Sequence, residues 1–134
     1  MIAIRDALLR SRIRWVSVAA PDTRELLIDD DVSWIDELDA NSLRELPYAV
    51  VRSYRDLRRR RPDAIASAGS GIAVPYFIAA RALGIPAIWV ETYNMVEGIG
   101  RSARICSALA RTVLVQRTER LERYRRARFV GAMY

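Results

Sequence analysis

The sequence predicts an α/β fold in which helices flank a parallel β-sheet. Short, uninterrupted apolar runs alternate with longer segments whose apolar residues recur at helical spacing. Continuous apolar strands are typical of parallel sheets, because helices cover both faces of such sheets. The chain has 134 residues, of which 51% are hydrophobic and 28% charged, so its length and composition fit a single globular domain.

The first half of the chain carries four predicted elements. They are a strand at 13–19, a short helix at 22–28, a short strand at 32–35 and a longer helix that ends at Arg60. Asn41 or Ser42 can cap the longer helix, and Pro47 suits its first turn. Pro62 cannot continue a helix, so the helix ends before it.

The second half repeats a strand–helix rhythm more regularly. Its predicted elements are strands at 64–67, 87–90, 113–116 and 128–131, and helices at 72–83, 101–111 and 118–124. Pro75 lies in the first turn of the helix 72–83, and Gly84 follows its last residue. No charge occurs between Ala64 and Ala80, but glycines and prolines divide this stretch into strand, turn and helix. We therefore expect a buried core there rather than a membrane span.

The charged residues exclude several kinds of chemistry. All 22 basic residues are arginines, so a Walker A phosphate loop, which needs a lysine, is excluded. The chain has no histidine, which excludes Ser–His and Cys–His nucleophile pairs. Its one cysteine, Cys106, cannot form an intramolecular disulfide or a multi-cysteine zinc site, and we expect no metal. A net charge of +6 favours anionic partners such as nucleic acids, lipid surfaces or phosphorylated substrates.

Three turns lie where such a fold binds ligands. In open parallel sheets ligands bind at the carboxyl ends of strands, which here are the turns after Ser67, Val90 and Gln116. Glu91 ends the second of these strands, where its carboxylate could accept a proton from an attacking hydroxyl group or hold a sugar hydroxyl. The alternative is a loop carboxylate that caps amides or pairs with an arginine. The next residues can contact a ligand or simply form a turn; they are Thr92, Tyr93 and Asn94.

The first of these turns consists of Gly69, Ser70 and Gly71. Glycines let a backbone approach a ligand, and the first amides of a helix point free N–H groups at anions, so we predict a phosphate or diphosphate there. The alternative is that the glycines are there only because the chain must bend sharply between the strand and the helix. The turn also resembles a dinucleotide-binding fingerprint with Glu91 as its acid, but Val74 occupies the third small position and earlier strands precede the turn. We therefore expect no nicotinamide or flavin cofactor.

A run of four arginines ends the longer helix of the first half: Arg58, Arg59, Arg60 and Arg61. These side chains can contact anionic lipid headgroups, or they can be solvated cations that complement the helix dipole. A second cluster has the same two interpretations; it comprises Arg123, Arg125, Arg126 and Arg128. No recognisable nucleic-acid-binding module accompanies either cluster, so we expect no nucleic-acid partner.

Several motifs of the second half occur together in one known family. They are the run PDAIASAGSGIAVPYFIAARALGIPAIWVETYNMV at 62–96, LVQ at 114–116, Tyr124 and Gly131. They resemble the membrane-associated subunit of the two-subunit UDP-N-acetylglucosamine transferase of dolichol-linked oligosaccharide assembly and its bacterial polysaccharide counterparts. Such subunits look like the Rossmann-like N-terminal half of a GT-B glycosyltransferase. The motifs are also similar to the acceptor domain of the lipid-linked peptidoglycan N-acetylglucosaminyltransferase. The resemblance covers roughly 13–131.

This resemblance implies a division of labour between two polypeptides. A partner, itself a GT-B half, would bind the UDP-sugar and carry most of the catalytic groups. This chain would bind a polyprenyl-diphosphate-linked glycan at the cytoplasmic face of the membrane and recruit the partner. Gly69, Ser70 and Gly71 match the family's second glycine-rich loop, which would hold the acceptor diphosphate. Glu91 matches its acidic position after the next strand.

The chain departs from the family's pattern at three places. Arg117 stands where an aromatic residue often follows the VQ pair, and Arg125 stands where a proline often follows the tyrosine, so the exact substrate does not carry over. The family also opens with a strand and a glycine-rich loop before the segment that matches 2–12. We expect one domain at 1–134 that lacks this strand and leaves an unpaired edge on each neighbouring strand. The chain would then be a fragment or have a misassigned start, or another polypeptide would supply the strand.

Two other functions remain open. The chain could be a non-catalytic Rossmann-like binding or scaffold domain whose glycine turn is purely structural. It could also be a fragment of a dinucleotide-binding oxidoreductase.

Overall fold

The computed structural model describes residues 11–36, 44–69, 71–91 and 100–131. It divides into two compact units, Met1–Leu38 and Asp39–Tyr134. Each unit contains parallel strands joined through helices, so the predicted α/β class with parallel strands is confirmed.

The first unit is a β-α-β arrangement. It consists of β1 (Trp15–Val18), α1 (Pro21–Leu26) and β2 (Val32–Ile35), and β1 pairs in parallel with β2. Thr23 fixes the start of α1, because its hydroxyl donates to the Val18 carbonyl at 2.8 Å and accepts the Ala20 N–H at 3.0 Å. A side chain that satisfies an amide at a helix start sets where the helix begins.

The second unit holds a four-stranded parallel sheet. Its strands, in spatial order, are β3 (Ile65–Ser67), β4 (Ala87–Val90), β5 (Thr112–Val115) and β6 (Ala127–Phe129). Its helices are α2 (Leu46–Arg59), α3 (Ala73–Leu83), α4 (Arg101–Leu109) and the 3-10 helix Thr118–Arg123. Ser67 lies opposite Trp89, Trp89 opposite Val113, and Val113 opposite Ala127. Because the strands are parallel and in this register, their carboxyl ends lie along one edge of the sheet.

The apolar helix α3 is the centre of this unit and packs against α2, α4, β3 and β4. Phe77 of α3 meets Trp89 of β4 edge to face, with ring centroids 6.1 Å apart, and both side chains are buried. Such a pair adds about 1 kcal/mol beyond the apolar area that it buries. Gly84 ends α3 at a φ of 70°, and Arg61 donates to the Leu83 carbonyl at 2.8 Å. Both predictions about this stretch, a buried helix and a glycine end, are confirmed.

Cys106 belongs to the core of the second unit. Its side chain has no solvent exposure, and burial raises the pKa of the thiol to about 12. A thiol in such surroundings is an apolar packing group rather than a nucleophile.

Most predicted elements differ from the structure by one or two residues at their ends, and two differ further. The α2 helix begins at Leu46 with Glu45 in the N-cap position, while Asn41 and Ser42 lie outside the described residues. The helix predicted at 118–124 is a 3-10 helix, a form common in short connecting segments. Among the described residues, no helix has the length and apolar character needed to cross a membrane.

Candidate functional site

The carboxyl edge of the four-stranded sheet brings the predicted ligand turns together. Glu91 follows β4 directly, Gln116 follows β5 directly, and Gly69 lies two residues beyond β3. Neighbouring strands are about 4.8 Å apart, so these three positions are adjacent along one edge.

Gly69, the first residue of the glycine turn, is open to solvent. Gly69 is exposed and has a φ of 137°, a backbone conformation that other residues rarely adopt. Its amide donates to the Ser67 hydroxyl at 3.3 Å. Gly71 is half-buried, and its carbonyl accepts the Val74 N–H at 3.3 Å as α3 begins. Ser70, the middle residue of the predicted site, lies outside the described residues.

Val74 occupies the position at which a dinucleotide fingerprint has its third small residue. Its side chain is buried in the core cluster with Phe77 and Trp89. A dinucleotide fingerprint needs a small residue here so that the helix can pack closely on the strand, but the Val74 side chain occupies that space.

Glu91 is held at both its backbone and its side chain. Its N–H donates to the Leu114 carbonyl at 2.9 Å, and its own carbonyl accepts a hydrogen bond from Gln116 Nε2 at 3.1 Å. Its Oε1 lies 3.4 Å from Nη1 of Arg120, with 5% of the Glu91 side chain and 13% of the Arg120 side chain exposed. This is a largely buried ion pair, in which each charge offsets part of the other's desolvation cost.

Tyr124 completes the polar cluster around Glu91. Burial raises the pKa of the Tyr124 hydroxyl, the Glu91 charge raises it further, and the Arg120 charge opposes the shift. The hydroxyl interacts with the Glu91 carboxylate. The distance or angle between them is outside that of a regular hydrogen bond: among the described residues, the Tyr124 hydroxyl and Glu91 Oε2 are buried without a hydrogen-bond partner. We call Glu91, Gln116, Arg120 and Tyr124 the edge cluster.

Of the four residues in the edge cluster, Glu91 was predicted as a site residue and Arg120 was missed, while Gln116 and Tyr124 were noted only as a turn position and a motif residue. Glu91 was predicted at this edge, either as a ligand-binding carboxylate or as a loop carboxylate that pairs with an arginine. In the structure its side chain pairs with Arg120. Arg120 was missed, although the turn after Gln116 was among the predicted ligand positions. No sequence pattern marks it, because its contact with Glu91 depends on how the 3-10 helix follows β5. Three predicted contact residues lie outside the described residues; they are Thr92, Tyr93 and Asn94.

The four-arginine run lies at the end of α2. Arg58, Arg59, Arg60 and Arg61 are all exposed, but Arg61 also serves the chain itself through its bond to Leu83. Exposed residues upstream share a side of the helix with Arg58 and Arg59, because they recur three or four residues apart. We call this the α2 outer face; it comprises Tyr48, Val51, Arg52, Arg55, Arg58 and Arg59.

Within the described ranges, no group of three or more cysteine, aspartate or glutamate side chains comes together to hold a metal ion.

Comparison with solved structures identifies the fold. The structure is similar to the crystal structure of MurG from Acinetobacter baumannii, with a TM-score of 0.79 and 20% sequence identity. The match covers 98% of this chain and 40% of the MurG chain, so the chain spans two fifths of that protein's length. No protein-family model and no curated protein matches the sequence. The predicted fold is thereby confirmed: the chain has the Rossmann-like α/β fold of a GT-B N-terminal domain.

Proposed function

We propose that the chain is the acceptor-binding part of a glycosyltransferase. The reaction would move a sugar from a UDP-sugar to a polyprenyl-diphosphate-linked glycan. The observation that carries this proposal is an exposed glycine, Gly69, beside a strand that is followed directly by a carboxylate, at the carboxyl edge of a MurG-like parallel sheet. The motif resemblance at 62–96 supplies the classes of donor and acceptor.

The glycine turn is the proposed diphosphate site. It leads into α3, an 11-residue helix whose first amides and dipole favour an anion. The exposure of Gly69 leaves room for a headgroup to approach the backbone. Backbone N–H groups that donate to phosphate oxygens form charge-assisted bonds, which are about twice as strong as neutral ones. The turn would thus fix the acceptor's diphosphate at the sheet edge.

Glu91 is the candidate base of the transfer step. The acceptor hydroxyl oxygen forms a bond to the anomeric carbon of the donor sugar, and the bond from that carbon to the UDP phosphate oxygen breaks. UDP leaves with the electron pair, and the acceptor's proton passes to a carboxylate such as Glu91. Both Glu91 and the glycine turn lie at the same sheet edge, so one acceptor could reach both.

A second GT-B half is the proposed partner. The chain spans 40% of the MurG chain, and the family resemblance assigns UDP-sugar binding to a separate polypeptide. The complete active site would form where the two halves meet.

The α2 outer face is the proposed membrane contact. It combines four exposed arginines with Tyr48, which is 74% exposed, and Val51, which is 48% exposed. A helix face with arginines and exposed apolar groups suits an anionic bilayer surface. This contact would hold the chain at the cytoplasmic side of the membrane, where its lipid-linked acceptor is anchored.

Substitution of the glycine turn tests the proposal. We expect Gly71→Val to weaken binding of a farnesyl-diphosphate-linked N-acetylglucosamine at least tenfold, because a side chain would block approach to the backbone. Ala82→Val is the matched control, since Ala82 is an exposed residue in the last turn of α3, at the opposite end of that helix from the glycine turn. Binding would be measured by calorimetry, and folding by circular dichroism. Unchanged binding by a folded Gly71→Val variant would contradict the proposed site.

A scaffold function is the second candidate, and one observation favours it. The Gly69 amide already donates to Ser67, and the Glu91 carboxylate already pairs with Arg120, so both predicted ligand groups have partners within the chain. A scaffold domain predicts no acceptor binding by the unmodified chain in the same calorimetric measurement.

A further inference from the structure

We infer that Arg120 is a positioning residue for Glu91, and this inference rests on the proposed function. Arg120 would hold the Glu91 carboxylate at the carboxyl edge, in the orientation in which it meets the acceptor. No sequence motif points to Arg120; the inference comes from its place in the edge cluster.

The backbone of Glu91 is already fixed by the neighbouring strand. Its N–H is bound by the Leu114 carbonyl and its carbonyl by the Gln116 side chain. Gln116 is itself 7% exposed, so this contact is shielded from water. These two bonds do not fix the side-chain torsion angles of Glu91. The charged group that contacts its carboxylate is Arg120.

The Arg120 side chain reaches Glu91 from a segment that the fold holds in place. Arg120 lies in the middle of the 3-10 helix, and its N–H donates to the Arg117 carbonyl at 3.2 Å. That helix connects β5 to β6, which pair along three residues. The guanidinium is therefore carried by a short connection that is fixed at both ends, and its Nη1 meets Oε1 of Glu91 as an ion pair at 3.4 Å.

The location of the ion pair separates positioning from simple packing. The apolar core of this unit lies among α3, α4 and the strands and extends to Tyr124, whereas the charged groups of Glu91 and Arg120 follow the ends of β4 and β5. Glu91 is 4% exposed, and 13% of the Arg120 side chain is exposed. A buried charge pair costs desolvation energy that an apolar pair would not, so its presence at the ligand edge calls for a role in the site.

A double-mutant cycle tests the inference. The variants are Glu91→Gln, Arg120→Gln and the two combined, with Arg120→Lys as a conservative variant and Arg104→Gln as the matched control. Arg104 is an exposed arginine of α4 outside the edge cluster. The chain would be assayed with its co-purified partner, using UDP-N-acetylglucosamine as donor and a farnesyl-diphosphate-linked N-acetylglucosamine as acceptor.

If Arg120 acts through Glu91, both single glutamine variants lower kcat more than tenfold with little change in the acceptor KM. The double variant then has the kcat of Glu91→Gln within about twofold, because no carboxylate remains to be positioned. Arg120→Lys recovers part of the loss, and Arg104→Gln keeps the wild-type rate. A double variant whose loss is the product of the two single losses overturns the inference.

A spectroscopic measurement separates failure of the inference from failure of the proposed function. In the chain alone, the carbon-13 shift of the Glu91 carboxyl group at neutral pH should change in Arg120→Gln and Arg120→Lys but stay constant in Arg104→Gln. If the wild-type complex transfers no sugar, the proposed function fails, and this measurement alone decides whether Arg120 holds Glu91. An unchanged Glu91 signal in a folded Arg120→Gln variant overturns the inference even if transfer is observed.

Discussion

At the scale of single residues, burial decides the protonation state of Cys106 and Tyr124. Burial raises the pKa of Cys106 to about 12, and it raises that of Tyr124 above its usual 10. Both groups therefore stay protonated at neutral pH, one as a packing thiol and the other as a neutral hydroxyl beside a carboxylate.

These two shifts predict a loss of stability in alkali. When a group has a higher pKa in the folded state than in the unfolded state, its contribution to the stability of the fold is complete at pH values below the unfolded-state pKa. That contribution is lost as the pH rises towards the folded-state pKa. For Cys106 the window runs from about 9 to about 12, and Tyr124 adds an effect of the same sign from about 10 upward. The free energy of unfolding should fall above pH 9, by at most about 1.4 kcal/mol per pH unit for each proton.

Urea unfolding at pH 8, 9 and 10.5 measures this dependence. Cys106→Ala serves as the comparison, because it removes the thiol's share and should flatten the curve between pH 9 and 10.5 even though its stability is lower throughout. Parallel curves for the two proteins would show that the thiol has no part in the alkaline loss.

At the scale of elements, the end of α3 shows how two different groups terminate a helix. Gly84 takes up the left-handed conformation, and the Ile85 amide donates to the Ala80 carbonyl at 2.9 Å. From outside the helix, Arg61 donates to Leu83. The glycine could be predicted from the sequence because its position after an apolar helix is a known stop signal, whereas the arginine could not, because it lies 22 residues away.

Gly84→Ala should lower the free energy of unfolding by about 1 kcal/mol. A Cβ at Gly84 meets nothing within 4 Å, so the cost is that of placing alanine at a φ of 70°. Gly100→Ala is the matched control: its Cβ also meets nothing, but its φ of −59° suits any residue. Alanine is a poorer N-cap than glycine but makes the unfolded chain less flexible, and these two small effects on the free energy of unfolding should nearly cancel. Thermal and urea unfolding measure both variants, and equal losses would argue against a conformational cause.

The same scale shows how far the sequence predicts the site. The strands at 32–35 and 87–90 were predicted with the bounds that the structure has, because each is a short apolar run between turn residues. Parallel order then places the glycine turn and Glu91 at one edge. Arg120 could not be found in this way, because its partner is 29 positions earlier and the contact depends on how the 3-10 helix leaves β5. The single domain at 1–134, the diphosphate site and the role of Glu91 remain predictions.

At the scale of the whole molecule, the arginines behind the net charge of +6 have two roles: some donate hydrogen bonds within the chain and others face solvent. Some arginines serve as internal donors: Arg61 binds the Leu83 carbonyl, and Arg126 binds the Ala110 carbonyl at 3.1 Å. Others, on the α2 outer face, point to solvent. Net charge alone therefore overstates how much of the molecule is available to an anionic partner.

The α2 outer face should dominate binding to anionic vesicles. Replacing Arg55 and Arg59 with glutamine should lower the partition coefficient about 30-fold, because each basic residue near a charged bilayer contributes about 1 kcal/mol. The control replaces Arg104 and Arg111, which are exposed arginines elsewhere, and removes the same charge. Co-sedimentation with phosphatidylserine-containing vesicles at 0.1 M salt measures both. Equal losses would mean that only net charge matters.

The α2 outer face has a chemical consequence of its own. Its cations are guanidinium groups, which keep their proton at any pH that a cell reaches. Acylating enzymes and amine-directed labels act on primary amines, and this surface has no lysine to offer them. The proposed contact of this helix with an acidic bilayer would therefore resist lysine acetylation and mild acidification.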